Sequence, residues 1–129
     1  DVCSSDLYDY VSTWTAVART VRDVAVHDLA GRPREQIVRA VEQAAVVNSV
    51  ANLMTFPWLA ERVSAGKLVL HAWWFNLTEG QLYAFNADNA TFEPVKGIAV
   101  NPTVQQGTRL SAIKPERLLL ALADKKPAF

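Results

Sequence analysis

Cysteine and histidine, the side chains that most readily serve as transition-metal ligands or as nucleophile and base, number three in this 129-residue sequence: Cys3, His27 and His71. They are far apart in the chain. His71 stands inside the apolar run LVLHAWWF, where a histidine reads as a packed, hydrogen-bonded structural residue. His27 falls near the end of a helix, where a partly charged imidazole favours the helix dipole, and it reads as a surface residue. Trp73, Trp74 and Phe75 suggest an aromatic ligand platform, but burial within a sheet is the stronger reading. Asn76-Leu77-Thr78 and Asn89-Ala90-Thr91 fit the N-glycosylation pattern, which short triplets meet by chance, and nothing in the chain indicates secretion. Arg34, Glu35, Arg39, Glu42, Glu61 and Arg62 read as solvated helix faces, some of them placed to meet a second subunit.

The elements that would position these residues follow from periodicity. Tyr10, Trp14, Val17, Val21 and Val24 recur at helical steps, with Arg19, Arg22 and Asp23 opposite, predicting an amphipathic helix over about 9–27. After Gly31 and Pro33 a second helix is expected over 34–54, with Ile37, Val41, Ala44, Val47, Ala51 and Met54 as its buried stripe. Pro57 cannot continue that helix but suits the first turn of a new one over 57–65, with Thr55 as its cap and Gly66 at its end. Lys67 to Phe75 reads as a strand, apolar on both faces, which is the signature of a parallel strand covered on two sides. Thr78, Glu79 and Gly80 make a turn, 81–86 returns as an antiparallel strand, and 91–95 forms a further short one. A loop over 96–107 and a short helix over 115–123, PERLLLALA, complete the chain. Only one neighbour for the two-sided strand follows it in sequence, so its parallel neighbours are expected upstream of this chain. An uncovered strand edge would be adhesive, and a chain lacking that cover would be unstable or self-associating.

Length fits one domain at most. Half the residues are hydrophobic, and 13 basic residues balance 13 acidic ones. The isoelectric point is near neutral. Neither a basic patch nor a charge run appears, which argues against nucleic acid or an anionic membrane as partner. The longest apolar run, Leu68 to Phe75, is far short of the ~20 residues that span a bilayer. A single cysteine fits a reducing compartment without a disulfide framework, and the chain reads as soluble and cytoplasmic.

The segment 42–81 carries a longer pattern. Val46, Ser49, Val50, Asn52 and Leu53 end a helix. Thr55, Phe56, Pro57 and Trp58 break it. Gly66, Lys67, Leu68, Leu70, His71, Trp73 and Phe75 lead into a strand that turns through Gly80 and Leu82. In order and spacing this resembles the C-terminal half of a β-class carbonic anhydrase, over about residues 8–95. The first seven residues, DVCSSDL, resemble a translated sequencing adapter and are set aside as a scar. On this reading 8–129 is a partial domain whose zinc-binding N-terminal half is missing. The implied fold is α/β, with helices packed on a mostly parallel sheet that ends in an antiparallel strand.

The resemblance implies a parent enzyme, a lyase that interconverts CO₂ and bicarbonate at Zn²⁺. Such enzymes hold zinc with two cysteines and a histidine, in a Cys-x-Asp-x-Arg segment and a later His-x-x-Cys segment. Three protein ligands leave a fourth position for water, whose pKa the metal lowers to near 7. Neither segment occurs here. Cys3 has no arginine in register, and no cysteine stands three residues after His27 or His71. No catalytic, cofactor-binding or metal-ligating residue is therefore assigned within the chain, and the fragment alone is expected to be inactive. Family members carry histidine at the position of His71 without using it as a ligand. Some use a tyrosine at the position of Phe75 to help hold a regulatory bicarbonate, a role that phenylalanine lacks the hydroxyl for. Glycine usually stands where this chain has Ala72. The family implies a homodimer or higher oligomer. The competing expectation is a zinc-free, non-enzymatic paralogue or scaffold-binding protein of the same fold.

Overall fold

The computed structural model describes residues 11–13, 15–97 and 101–108; the expected helix over 115–123, together with Tyr10 and Trp14 of the first stripe, lies outside them. A 3₁₀ turn, Ala16–Ala18, leads into helix α1, Arg19–Asp28. The expected helix over 9–27 is thus not uniform. The Thr15 hydroxyl donates to the Val11 carbonyl at 2.7 Å just before the 3₁₀ turn, a back-bond of the kind that bends helices. Helix α2 spans Arg34–Leu53, and α3 spans Pro57–Ser64 with its proline in the first turn.

Two details of these helices correct the sequence reading. Phe56, not Thr55, is the N-cap of α3. The Thr55 hydroxyl instead donates to the Asn52 carbonyl at 2.7 Å, closing the end of α2. The fully buried residues of α2 are Ala40, Gln43, Ala44, Val47 and Val50, while Ile37, Val41 and Met54 are only partly buried. The stripe is rotated from the expected one because α2 packs between α1 and the sheet, so the side chains between those two contacts bury best.

Helix α3 ends as its sequence implies. Gly66 sits at φ +70°, its N–H reaches the Val63 carbonyl, and the next N–H, of Lys67, reaches Arg62 at 2.9 Å. This paired closure satisfies two otherwise orphaned carbonyls and turns the chain towards the sheet.

The sheet has three strands in the order β1 (Trp73–Asn76), β2 (Gln81–Asn86), β3 (Thr91–Pro94), all antiparallel. Trp73 pairs with Ala84 and Asn76 with Gln81, and the β2–β3 register runs from Tyr83–Pro94 to Asn86–Thr91. The Asn76 side chain accepts from the Thr78 and Glu79 N–H groups, and Gly80 at φ +65° completes the turn. The helices and sheet make an α/β arrangement, but no parallel pairing exists among the described residues. The expected strand over 67–75 is regular only from Trp73. Its two-sided burial is not observed either: Leu68, Leu70, Ala72, Trp74 and Asn76 turn inward, while Val69, His71, Trp73 and Phe75 are exposed.

The expected loop over 96–107 is not wholly a loop. Val104 forms an isolated antiparallel bridge with Leu70, and both Thr103 and Val104 are buried. One core joins α1, α2, α3, the inward face of the sheet and Val104, with Phe85, Leu29, Val21 and Val47 as its largest fully buried members.

Candidate functional site

Strand alternation divides the aromatic run between two surfaces. Trp74 points inward. Its indole N–H donates to Glu42 Oε2 at 3.1 Å, the Arg39 guanidinium lies 5.9 Å from its ring centroid, and Tyr83 packs against it at 5.4 Å. Helix α2 is thereby tied to the sheet through two residues that had read only as solvated charges. The Tyr83 hydroxyl donates to Glu79 Oε2 at 2.7 Å. That hydrogen bond to a carboxylate, with partial burial, holds the phenol above its usual range, against a smaller opposing influence from Arg39. The cluster is a structural clamp in which each polar group already has a use.

Trp73 and Phe75 face the other way and are 45% and 51% exposed, so burial in the sheet holds only in part, for the half-buried Trp74, and not for them. His71 joins this outer surface, its ring 5.3 Å from that of Trp73. It is exposed rather than packed in the core, which corrects the expectation for it. His27 stands at the end of α1 on the surface, as expected, its Nδ1 2.9 Å from Asp28 Oδ1. Among the described residues no three of His, Cys, Asp and Glu come together in a way that could hold a metal ion.

The most unusual polar arrangement joins Thr103 to the sheet. Its hydroxyl accepts from the Ala72 N–H and donates to the Phe85 carbonyl, both at 2.9 Å. Ala72 and Phe85 would be the next ladder pair of β1 and β2, and the Phe85 N–H does reach the Ala72 carbonyl. The second bond of that pair is replaced by a side chain. Beyond it the two strands diverge, and 103–104 occupies the gap beside Leu70 through three backbone hydrogen bonds. A neighbouring recess of about 440 Å³ is lined by polar groups including Asn86, Asp88, Glu93, Lys96 and Asn101. Glu93 Oε1 accepts from the side-chain amides of Asn89 and Asn86, which commits that oxygen to the β2–β3 hairpin. Neither arrangement presents a nucleophile, an acid–base pair or a metal-ligand set.

What these residues form is a scaffold of recognisable kind. The chain matches the carbonic anhydrase family model over residues 3–82 and belongs to the β-class carbonic anhydrases. It is similar to a carbonic anhydrase of Synechocystis sp. (strain ATCC 27184 / PCC 6803 / Kazusa), with 26% identity over 110 residues, covering 85% of this chain and 35% of that protein. It is also similar to beta carbonic anhydrase 1 of Caenorhabditis briggsae, with 33% identity over 52 residues, covering 40% of this chain and 19% of that protein. The chain therefore spans about a third of the length of one relative and a fifth of the other. No solved structure matches it. The matched segment includes α1 to α3 and β1 and stops just inside β2, so Thr103 lies outside it.

Proposed function

We propose that the whole protein is a zinc carbonic anhydrase, a cytoplasmic homo-oligomer that interconverts CO₂ and bicarbonate, and that the present residues supply scaffold to its active site. The supporting observation is family membership over residues 3–82. The residues in hand do not fit the metal themselves. Catalytic zinc needs three protein ligands converging on one point. Here the two histidines stand on different elements, His27 on α1 and His71 on the outer face of the sheet, and the sequence holds one cysteine. The chain's part is to hold α2 against the sheet through Trp74 and Glu42 and to fix the β1–β2 hairpin. We also read the chain as part of a larger domain, in keeping with the third and the fifth of its relatives' lengths that it spans.

Stopped-flow CO₂ hydration with metal analysis tests both halves of the proposal. The 129-residue chain should hydrate CO₂ no faster than buffer and carry well under stoichiometric zinc. Stoichiometric zinc with activity in this chain would overturn the scaffold role. A longer native protein containing the segment but lacking both properties would overturn the enzymatic reading in favour of a non-enzymatic paralogue.

A further inference from the structure

Both backbone groups of Leu70 are bonded to one short segment. Its N–H donates to the Val104 carbonyl, and its carbonyl accepts from the Thr103 and Val104 N–H groups at 2.9 and 3.0 Å. Leu70 stands two residues before Ala72, whose carbonyl accepts from Phe85, so in extended backbone these groups point to the β2 side. The segment therefore continues the sheet where β2 leaves it, away from the opposite edge of β1, where upstream strands are expected. With the two hydroxyl bonds of Thr103, five hydrogen bonds join it to Leu70, Ala72 and Phe85. Its burial is confined to two residues. Thr103 and Val104 are 2% and 1% exposed, whereas Asn101, Gln105, Gln106 and Gly107 lie on the surface. Beyond them the chain turns on itself, the Thr108 N–H donating to the Gln105 carbonyl and the Gln105 N–H to the Thr108 hydroxyl.

We infer that residues 101–106 form a strap that opens and closes as one unit while the helices and the three-stranded sheet stay folded, and that its closure orders the connector between α3 and β1. Closure gains one buried valine and five hydrogen bonds, but it must order backbone outside any helix or regular strand, and that entropy offsets most of the gain. Helix α2 and strand β2 are held differently, by continuous hydrogen-bond ladders and by Val47 and Phe85, which are among the largest members of the core. One chain then has two opening free energies, a small one for the strap and the global one for the core. The connector follows the strap. The Lys67 N–H closes α3 on Arg62, and from there to Ala72 the backbone hydrogen bonds of 68–71, among the described residues, all run to Thr103 and Val104. The strap lies outside the segment matched to the family, so the inference rests on the geometry of this chain.

Amide hydrogen exchange of the intact 129-residue chain, followed residue by residue by NMR, tests this without any substitution. The Leu70, Thr103 and Val104 amides should share one protection factor, at least about tenfold below that of Val47 in α2. Low urea should leave theirs nearly unchanged while it lowers that of Val47 steeply, because strap opening exposes little surface and global unfolding exposes much. Thr103→Val should speed exchange at Leu70 by about tenfold, and Thr103→Ser should not. Protection at the three amides equal to that of Val47, with the same urea dependence, would overturn the inference and make the segment an integral part of the core. Three amides differing from one another by more than about tenfold would overturn it too, since no single unit would then be opening. A Leu70 rate unmoved by Thr103→Val would show that the hydroxyl does not hold the strap and would overturn it equally.

Discussion

At the residue scale, the side chain with the most consequence is Thr103, which no motif singles out. Its hydroxyl satisfies one buried donor and one buried acceptor on two different strands. Replacing it with valine keeps the volume and strands both backbone groups, at a cost of about 1–3 kcal/mol, whereas serine retains the bridge. Urea denaturation should show Thr103→Val clearly less stable than Thr103→Ser. Equal midpoints for the two would mean that water replaces the hydroxyl without loss. The interaction was not legible in the sequence because threonine in a stretch of Asn, Pro, Gln and Gly carries no period, and its partner at Ala72 is 31 residues away. Trp74 and Glu42 escaped for a related reason: their contact depends on how α2 is rotated against the sheet.

At the scale of elements, local chemistry was the most readable. Pro57 starts α3 and Gly66 ends it, each for a conformational reason visible in one residue. Gly66 is held in the left-handed region, and a Cβ there would also meet Gln106 Oε1 at 3.3 Å. Gly66→Ala should therefore cost about 1 kcal/mol, measured as a lower urea midpoint. A midpoint that does not fall would mean the α3 closure relaxes freely. The strand over 67–75 was harder to read. Leu68, Val69, Leu70, Ala72, Trp73 and Trp74 are apolar at both parities, so sequence could not tell a strand covered twice from one covered once. Only Trp73–Asn76 pairs regularly, because the intrusion of Thr103 interrupts the ladder at Ala72.

At the scale of the whole molecule, the uncovered face matters more than any single contact. A domain is stable by only about 5–15 kcal/mol, and each large apolar side chain left in water forgoes about 1.5–3 kcal/mol. Half-exposed Trp73 and Phe75 together with Val69 thus withhold a noticeable part of that margin. The family was legible because its spacing is local and lies within 42–81, whereas the antiparallel form of the sheet depends on pairing that no short stretch specifies.

The slot that receives Thr103 has one wall on each of two strands, Ala72 on one side and Phe85 on the other. It does not exist until β1 and β2 have met. Loop entropy favours one order of assembly, in which the hairpin closes across its short turn before the segment 101–104 docks across a much longer loop. On opening, departure of that segment alone would uncover the Ala72 amide while the rest of the hairpin stands. The Ala72 amide proton therefore acts as a clock for that one event, exchanging with solvent at the pace of the latch rather than of the fold.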